Sequence, residues 1–179
     1  MTTRSGAAGA RRRHFVVMGV AGVGKTTVAE HLAGALDLVY AEGDDYHPAA
    51  NVDKMKSGEA LTDEDRWPWL EALAAWTKEQ DASGQSTVVT CSALRKVYRD
   101  VLRKADPQTF FIHLSGQETL LRRRMEARQH FMPTSLLRSQ FDTLEPLEGS
   151  ESGITIDVAM SADEVVDQAM AAARSALDG

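Results

Sequence analysis

The chain has 179 residues, 43% of them hydrophobic and 26% charged, a balance that suits one folded domain with a sizeable core. Its net charge of −6 argues against a broad nucleic-acid-binding face, although local arginine clusters could still hold a small anion. No apolar run reaches the roughly 18 residues a membrane span needs, and the single cysteine, Cys91, cannot form an internal disulfide, so a cytoplasmic protein that engages neither membrane nor nucleic acid is expected.

In chain order, Met1 to Arg13 is rich in Gly, Ala and Arg and reads as a loose tail ahead of a single domain over residues 14–179. The apolar part of "RRRHFVVMGVAGVG" is too short and too glycine-rich for a secretory signal. His14–Met18 reads as the first strand and Thr26–Leu36 as the first helix. Between them "GVAGVGKT", Gly19 to Thr26, matches G-x-x-x-x-G-K-[ST]. The backbone of Gly19, Val20, Ala21, Gly22, Val23 and Gly24 would wrap a phosphate chain, with the helix start at Lys25, Thr26 and Thr27 adding partial positive charge. Lys25 is expected at the β- and γ-phosphates and the Thr26 hydroxyl at Mg²⁺. The bland alternative is a glycine-rich turn that happens to precede Lys-Thr. No guanine-specifying N-K-x-D motif occurs, so ATP is the expected nucleotide.

Leu38–Ala41 reads as the second strand, followed by "EGDDYHPAANVDKM". Ligands in open α/β sheets sit beyond the carboxyl ends of the strands, so this segment should flank the same crevice as the phosphate loop. A carboxylate there could take the proton of an acceptor hydroxyl, and Asp44, nearer the strand, is preferred to Asp45. Otherwise Asp44 is a helix cap or a solvated loop charge. Residues 46–69 form an excursion before a helix over Asp65–Lys78, with "WPW" packing it onto the core. Ser86–Cys91 is the third strand, with Cys91 read as a buried small hydrophobe rather than a nucleophile. Ser92, at its mouth, either meets substrate, or magnesium through water, or caps the helix Arg95–Lys104, whose Arg95, Lys96 and Arg99 form a basic cluster, one member of which could meet an anionic substrate while the others form a solvated face.

Thr109–Leu114 and Ile154–Val158 complete the strands, and Gln117–Arg128 and Ala162–Leu177 the helices. "SGQE" and "SADE" suggest Ser115 and Ser161 as N-caps with Glu118 and Glu164 closing capping boxes. Residues 128–149 form a second excursion, of the kind lids occupy. The strand–helix alternation predicts an α/β fold of the three-layer P-loop type, with a five-stranded parallel sheet and right-handed crossovers.

"MGVAGVGKTTVAEHLA", "GDDYHPAANVDKMKSGEALTDEDRWPWL", "CSALRKVYRD" and "HFMPTSLLRSQFDTLEPLE" together resemble gluconokinase, the small P-loop type that phosphorylates D-gluconate on its 6-hydroxyl. The match runs from about Phe15 to Glu148. The resemblance implies ATP and Mg²⁺ as cofactors, D-gluconate as substrate, a homodimer, and a fold similar to shikimate and nucleoside-monophosphate kinases. It makes Asp44 the acceptor-hydroxyl base or its orienter, and His47 a partner for sugar hydroxyls rather than a loop histidine beside Pro48. Lys54 and Arg66 become candidates for the gluconate carboxylate, with Arg66 preferred because a guanidinium can bind it through two parallel bonds; a surface pair with Asp63 or Asp65 is the alternative. Ser92 and Arg95 are substrate-side candidates. By family position Arg124 approaches ATP and Arg128 the transferring phosphoryl group, whereas Arg122 and Arg123 read as ordinary surface charges. Gln129 stands where the family has glycine, and the segment before His130 is a residue shorter. The rival readings are another small-metabolite kinase, acting on shikimate or a related hydroxy acid, and a nucleotide-binding regulator without transfer activity, against which the Lys25, Thr26 and Asp44 set argues.

Overall fold

The computed structural model describes residues 11–128 and 133–179. It contains strands β1 (His14–Met18), β2 (Val39–Glu42), β3 (Thr87–Thr90), β4 (Phe110–Ser115) and β5 (Gly153–Asp157), all paired in parallel in the order β2-β3-β1-β4-β5. The central strands explain the continuous apolar runs. Every residue of β1 and of β3 is buried, because helices cover the sheet, whereas the edge strands β2 and β5 are only partly covered.

The helices are α1 (Lys25–Leu36), α2 (Ala49–Lys56), α3 (Asp63–Ala82), α4 (Lys96–Leu102), α5 (Glu118–Ala127), α6 (Thr134–Thr143) and α7 (Ala162–Asp178). α1 packs with α7, and α3 with α4; Val28, Leu32, Leu70, Leu73, Tyr98 and Ala169 join the strand residues in one core. The excursion over residues 46–69 is itself helical, holding α2 and the first turns of α3.

One expectation needs correction at a helix start. Ser161 does form a capping box with Glu164, but Ser115 does not cap α5. It is the last residue of β4, paired with Asp157, and Gln117 occupies the cap, so Ser115 stands two residues too early to reach the N3 amide. Glu118 instead accepts from Arg122 (2.6 Å) and Arg138 (2.9 Å). A further capping box opens α3, where Thr62 accepts from the Asp65 amide and the Asp65 carboxylate from the Thr62 amide. The last residues of the expected tail are held: Arg12 pairs with Asp81 (3.0 Å), and the Arg13 carbonyl accepts from the Thr87 amide (3.1 Å). Residues 1–10 of that tail lie outside the described residues.

Candidate functional site

The phosphate loop leaves β1 at Gly19, whose φ of 144° and close approach to the Leu114 carbonyl exclude a side chain; a Cβ there would stand 2.5 Å from that oxygen. Val20 and Val23 are buried and fasten the loop to the core, while Ala21, Gly22, Gly24, Lys25, Thr26 and Thr27 line an open cleft of about 290 Å³. The Ala21 amide donates to Gln140 Oε1 at 2.7 Å, tying the loop to α6. Lys25 Nζ curls back to donate to the carbonyls of Gly19 (3.0 Å) and Val20 (3.2 Å). Burial pushes its ammonium below the ordinary lysine range, and the Asp44 carboxylate pulls the other way. The Thr26 hydroxyl donates to Glu42 Oε2 at 2.9 Å, and the Tyr40 hydroxyl donates to the same oxygen. Glu42 escaped the sequence reading because β2 was expected to stop at Ala41; the ladder runs one residue further, pairing Glu42 with Thr90.

Asp44 owes its position to the glycine before it. The turn Gly43–Tyr46 presses against β3, with the Gly43 amide donating to Thr90 Oγ1 (3.0 Å) and the Gly43 carbonyl accepting from Trp69 Nε1 (2.8 Å). A Cβ on Gly43 would stand 1.8 Å from the Thr90 carbonyl oxygen, so backbone would have to yield. Gly43→Ala should therefore cost roughly 1–3 kcal/mol of stability and displace Asp44, read as a lowered melting temperature together with lost turnover. Asp44 then reaches the cleft with 78% of its side chain exposed, and Asp45 does not line it.

His47 lines the cleft with its ring stacked on Trp69 at 3.9 Å between centroids. Asn51 Nδ2 donates to the Asp65 carbonyl (2.8 Å) and to His47 Nδ1 (3.3 Å), which leaves the His47 proton on Nε2, 3.9 Å from Asp44 Oδ1. Burial lowers the His47 pKa below the ordinary histidine value, with Asp44 opposing and Arg66 reinforcing that shift, which favours the neutral ring. Trp69, 2% exposed, thus does more than pack: it holds both the carbonyl before Asp44 and the face of His47.

Arg66, Ser92 and Arg128 also line the cleft. The Ser92 carbonyl accepts from the Gly19 amide at 3.3 Å, which joins the mouths of β1 and β3. Lys54, Arg95 and Arg124 do not line it. Lys54 is taken up by Asp65 (2.8 Å), the surface pairing weighed above, and Arg95 by Asp63 (2.7 Å). Arg124 stands half-buried on α5, one turn before Arg128, whose amide donates to its carbonyl (3.2 Å). Gln129 and His130 lie outside the described residues.

A family model for the AAA domain matches residues 15–147. A gluconokinase of Gluconobacter oxydans (strain 621H) is 44% identical over 169 residues, spanning 94% of this chain and 95% of that protein. The chain belongs to the gluconokinase family. Two crystal structures share its fold closely: a gluconokinase from Sinorhizobium meliloti 1021 (45% identity, TM-score 0.84, 94% and 97% of the two chains covered) and a sugar kinase from Janibacter sp. HTCC2649 (47%, TM-score 0.88, 92% and 95%). Within the gluconokinase fold of this chain, the phosphate loop and the Asp44 turn open onto one cleft, and the sequence features missed there are Glu42, Trp69 as a positioner, and Gln140.

Proposed function

We propose that this chain transfers the γ-phosphoryl group of ATP to the 6-hydroxyl of D-gluconate. The observation that carries this reading, beside membership of the family, is that Lys25 and Thr26 share one cleft with Asp44, Arg66 and Arg128. In the reaction the gluconate oxygen forms a bond to the γ-phosphorus, the bond to the β–γ bridging oxygen breaks, the hydroxyl proton passes to the Asp44 carboxylate, and ADP departs. Lys25 supports the β- and γ-phosphates, and Arg128 supplies positive charge to the transferring group from the lid side. His47 donates from Nε2 toward a sugar hydroxyl. Arg66 meets the substrate carboxylate. Lys54, Arg95 and Arg124 serve the site from its margin in this reading.

Magnesium suits the donor set. Thr26 Oγ1 and Glu42 Oε2 are hard oxygen donors at the phosphate end of the cleft, and a magnesium held by nucleotide phosphates needs one or two protein oxygens. Such an ion would neutralise charge on the β- and γ-phosphates. We read residues 14–179 as one kinase domain, with a substrate excursion over residues 46–69 and a lid over residues 128–149. A homodimer in the cytoplasm completes the reading. The dimer rests on the family resemblance, and the location on that resemblance and on the buried free thiol of Cys91; among the described residues no helix is long and apolar enough to cross a membrane.

The test is ADP release measured across a panel of sugar acids and hydroxy acids, with the product identified by phosphorus NMR. Turnover with shikimate or another acid and none with gluconate would sink the reading. Arg66→Ala should raise the gluconate KM by about 10-fold or more with little change in the ATP KM, since hydrogen bonds to charged groups are worth roughly 1.5–3 kcal/mol. An effect confined to ATP would move Arg66 to the nucleotide side.

A further inference from the structure

Beside the cleft lies a more open hollow whose floor includes Asp63, Arg95 and the Tyr98 hydroxyl. Arg66 stands where the two meet and lines both. Its Nη1 donates to the Tyr98 hydroxyl at 2.5 Å, and its guanidinium carbon lies 5.0 Å from the centre of the Tyr98 ring. The Tyr98 hydroxyl donates in turn to Asp63 Oδ1, and the other Asp63 oxygen accepts from Arg95 Nη1 at 2.7 Å. Tyr98 is 2% exposed, wedged edge-on against Trp67 with ring centroids 5.7 Å apart.

We propose that Tyr98 is a positioning residue for substrate specificity: its hydroxyl holds Arg66, still charged, as the receptor for the carboxylate of a sugar acid. The inference rests on the gluconate reading of the cleft. Its physical basis is where the charges go. Two arginines stand near one carboxylate, and Asp63 is matched directly by Arg95 rather than by Arg66. Among the described residues Arg66 has no ion pair at all. A neutral phenol stands between Arg66 and Asp63, and burial together with the bond to Asp63 keeps that phenol protonated by raising its pKa. Because the hydroxyl donates to an anion, its oxygen is the better acceptor for Arg66. Only one of the five guanidinium N–H donors is engaged by Tyr98, so a fork remains for a carboxylate. A direct Arg66–Asp63 pair would cancel that charge. Sugar hydroxyls alone gain nothing from it, so the arrangement favours a sugar acid over the corresponding neutral polyol.

The test uses the full chain with a non-hydrolysable ATP analogue bound. Affinities for D-gluconate and for D-glucitol, its neutral hexitol counterpart, are measured by calorimetry for the wild type, Tyr98→Phe, Arg66→Ala and the double variant. Tyr98→Phe should weaken gluconate binding by about 10-fold, leave glucitol binding where it was, and add nothing in the Arg66→Ala background. Equal loss for both ligands, independent effects of the two substitutions, or no loss would overturn the inference. If the wild type does not prefer gluconate to glucitol, the carboxylate reading of the cleft fails with it. If the wild type does prefer it and Arg66→Ala abolishes the preference while Tyr98→Phe does not, the inference alone fails. Should Tyr98→Phe not fold, Arg66→Lys decides. A lysine cannot bond Tyr98 and fork a carboxylate together, so it should lose the preference nearly as alanine does, and a retained preference overturns the proposal.

Discussion

Asp44→Asn should lower kcat by about 10²–10⁴-fold, the usual worth of a positioned general base, while ATP still binds. Asparagine keeps the size and shape of the side chain, so the Gly43 turn and its bonds to Thr90 and Trp69 stay as they are. What it loses is the ability to receive the acceptor proton. The phosphate loop is built from backbone amides, Lys25 and Thr26, none of which depends on Asp44 for its place. Fluorescence titration with an ATP analogue should therefore give a near-native Kd, and single-turnover kinetics should show the loss in the chemical step. A secondary effect has a definite sign. Asp44 raises the pKa of Lys25 against the lowering effect of burial, so without it the ammonium deprotonates at lower pH and ATP affinity falls off earlier on the alkaline side. Asp45→Asn is the control, because Asp45 does not line the cleft. A kcat for Asp44→Asn within a few-fold of wild type would remove Asp44 from proton transfer and leave it at most an orienter.

The parts of this molecule that were legible in the sequence are those set by local rules. β1 and β3 announced themselves as unbroken apolar runs because both faces are covered, and the glycines of the phosphate loop because backbone must pass where a Cβ cannot. α2 was not legible as a helix from its periodicity: it buries only Asn51, so it has no apolar stripe to display. The start of α3 was missed because its box closes with Asp65, a residue shorter than the Glu or Gln that the pattern asks for. The choice between Lys54 and Arg66 could be framed from residue chemistry, since both lie near acids in sequence. Their settings come from tertiary structure. The start of α3 brings Asp65 to Lys54, and α4, some thirty residues away, brings Tyr98 between Arg66 and Asp63. Glu42 and Gln140 touch the phosphate loop from elements whose ends or neighbours only the fold defines.

Glu151→Ala should destabilise the protein by about 3–5 kcal/mol, the cost of leaving a buried cation without its partner. Arg99 is not the solvated charge its place in the basic cluster suggested: Arg99 and Glu151 are 0% and 2% exposed at their side chains, and the carboxylate accepts from Arg99 Nε (2.8 Å) and Nη2 (3.0 Å), from Arg103, and from the Glu148 amide (2.8 Å). Burial alone would raise the Glu151 pKa, but these bonds prevail and hold it at about 2. The sign of the pH dependence follows. A carboxylate depressed in the folded state contributes fully above its ordinary value of 4.5, and that contribution drains away as pH falls from there toward 2. The wild type should thus lose stability over that acid range, and Glu151→Gln, which cannot ionise, should lose less of it there. The damage should also reach the site. Arg99 Nη1 donates to the carbonyls of Ala93 (2.9 Å), Leu94 (3.3 Å) and Glu145 (3.1 Å), and Nη2 to that of Pro146 (3.3 Å). One side chain therefore pins the turn after Ser92, where Ala93 sits at a φ of 46°, to the segment that follows α6. With Glu151 gone the guanidinium is drawn toward water, and both segments loosen at the edge of the cleft. Denaturant unfolding at pH 7 checks the energy, and a rise in KM for both substrates, before any loss of fold, checks the link to the site. A cost below about 1 kcal/mol would mean that the pair is no better than a surface ion pair.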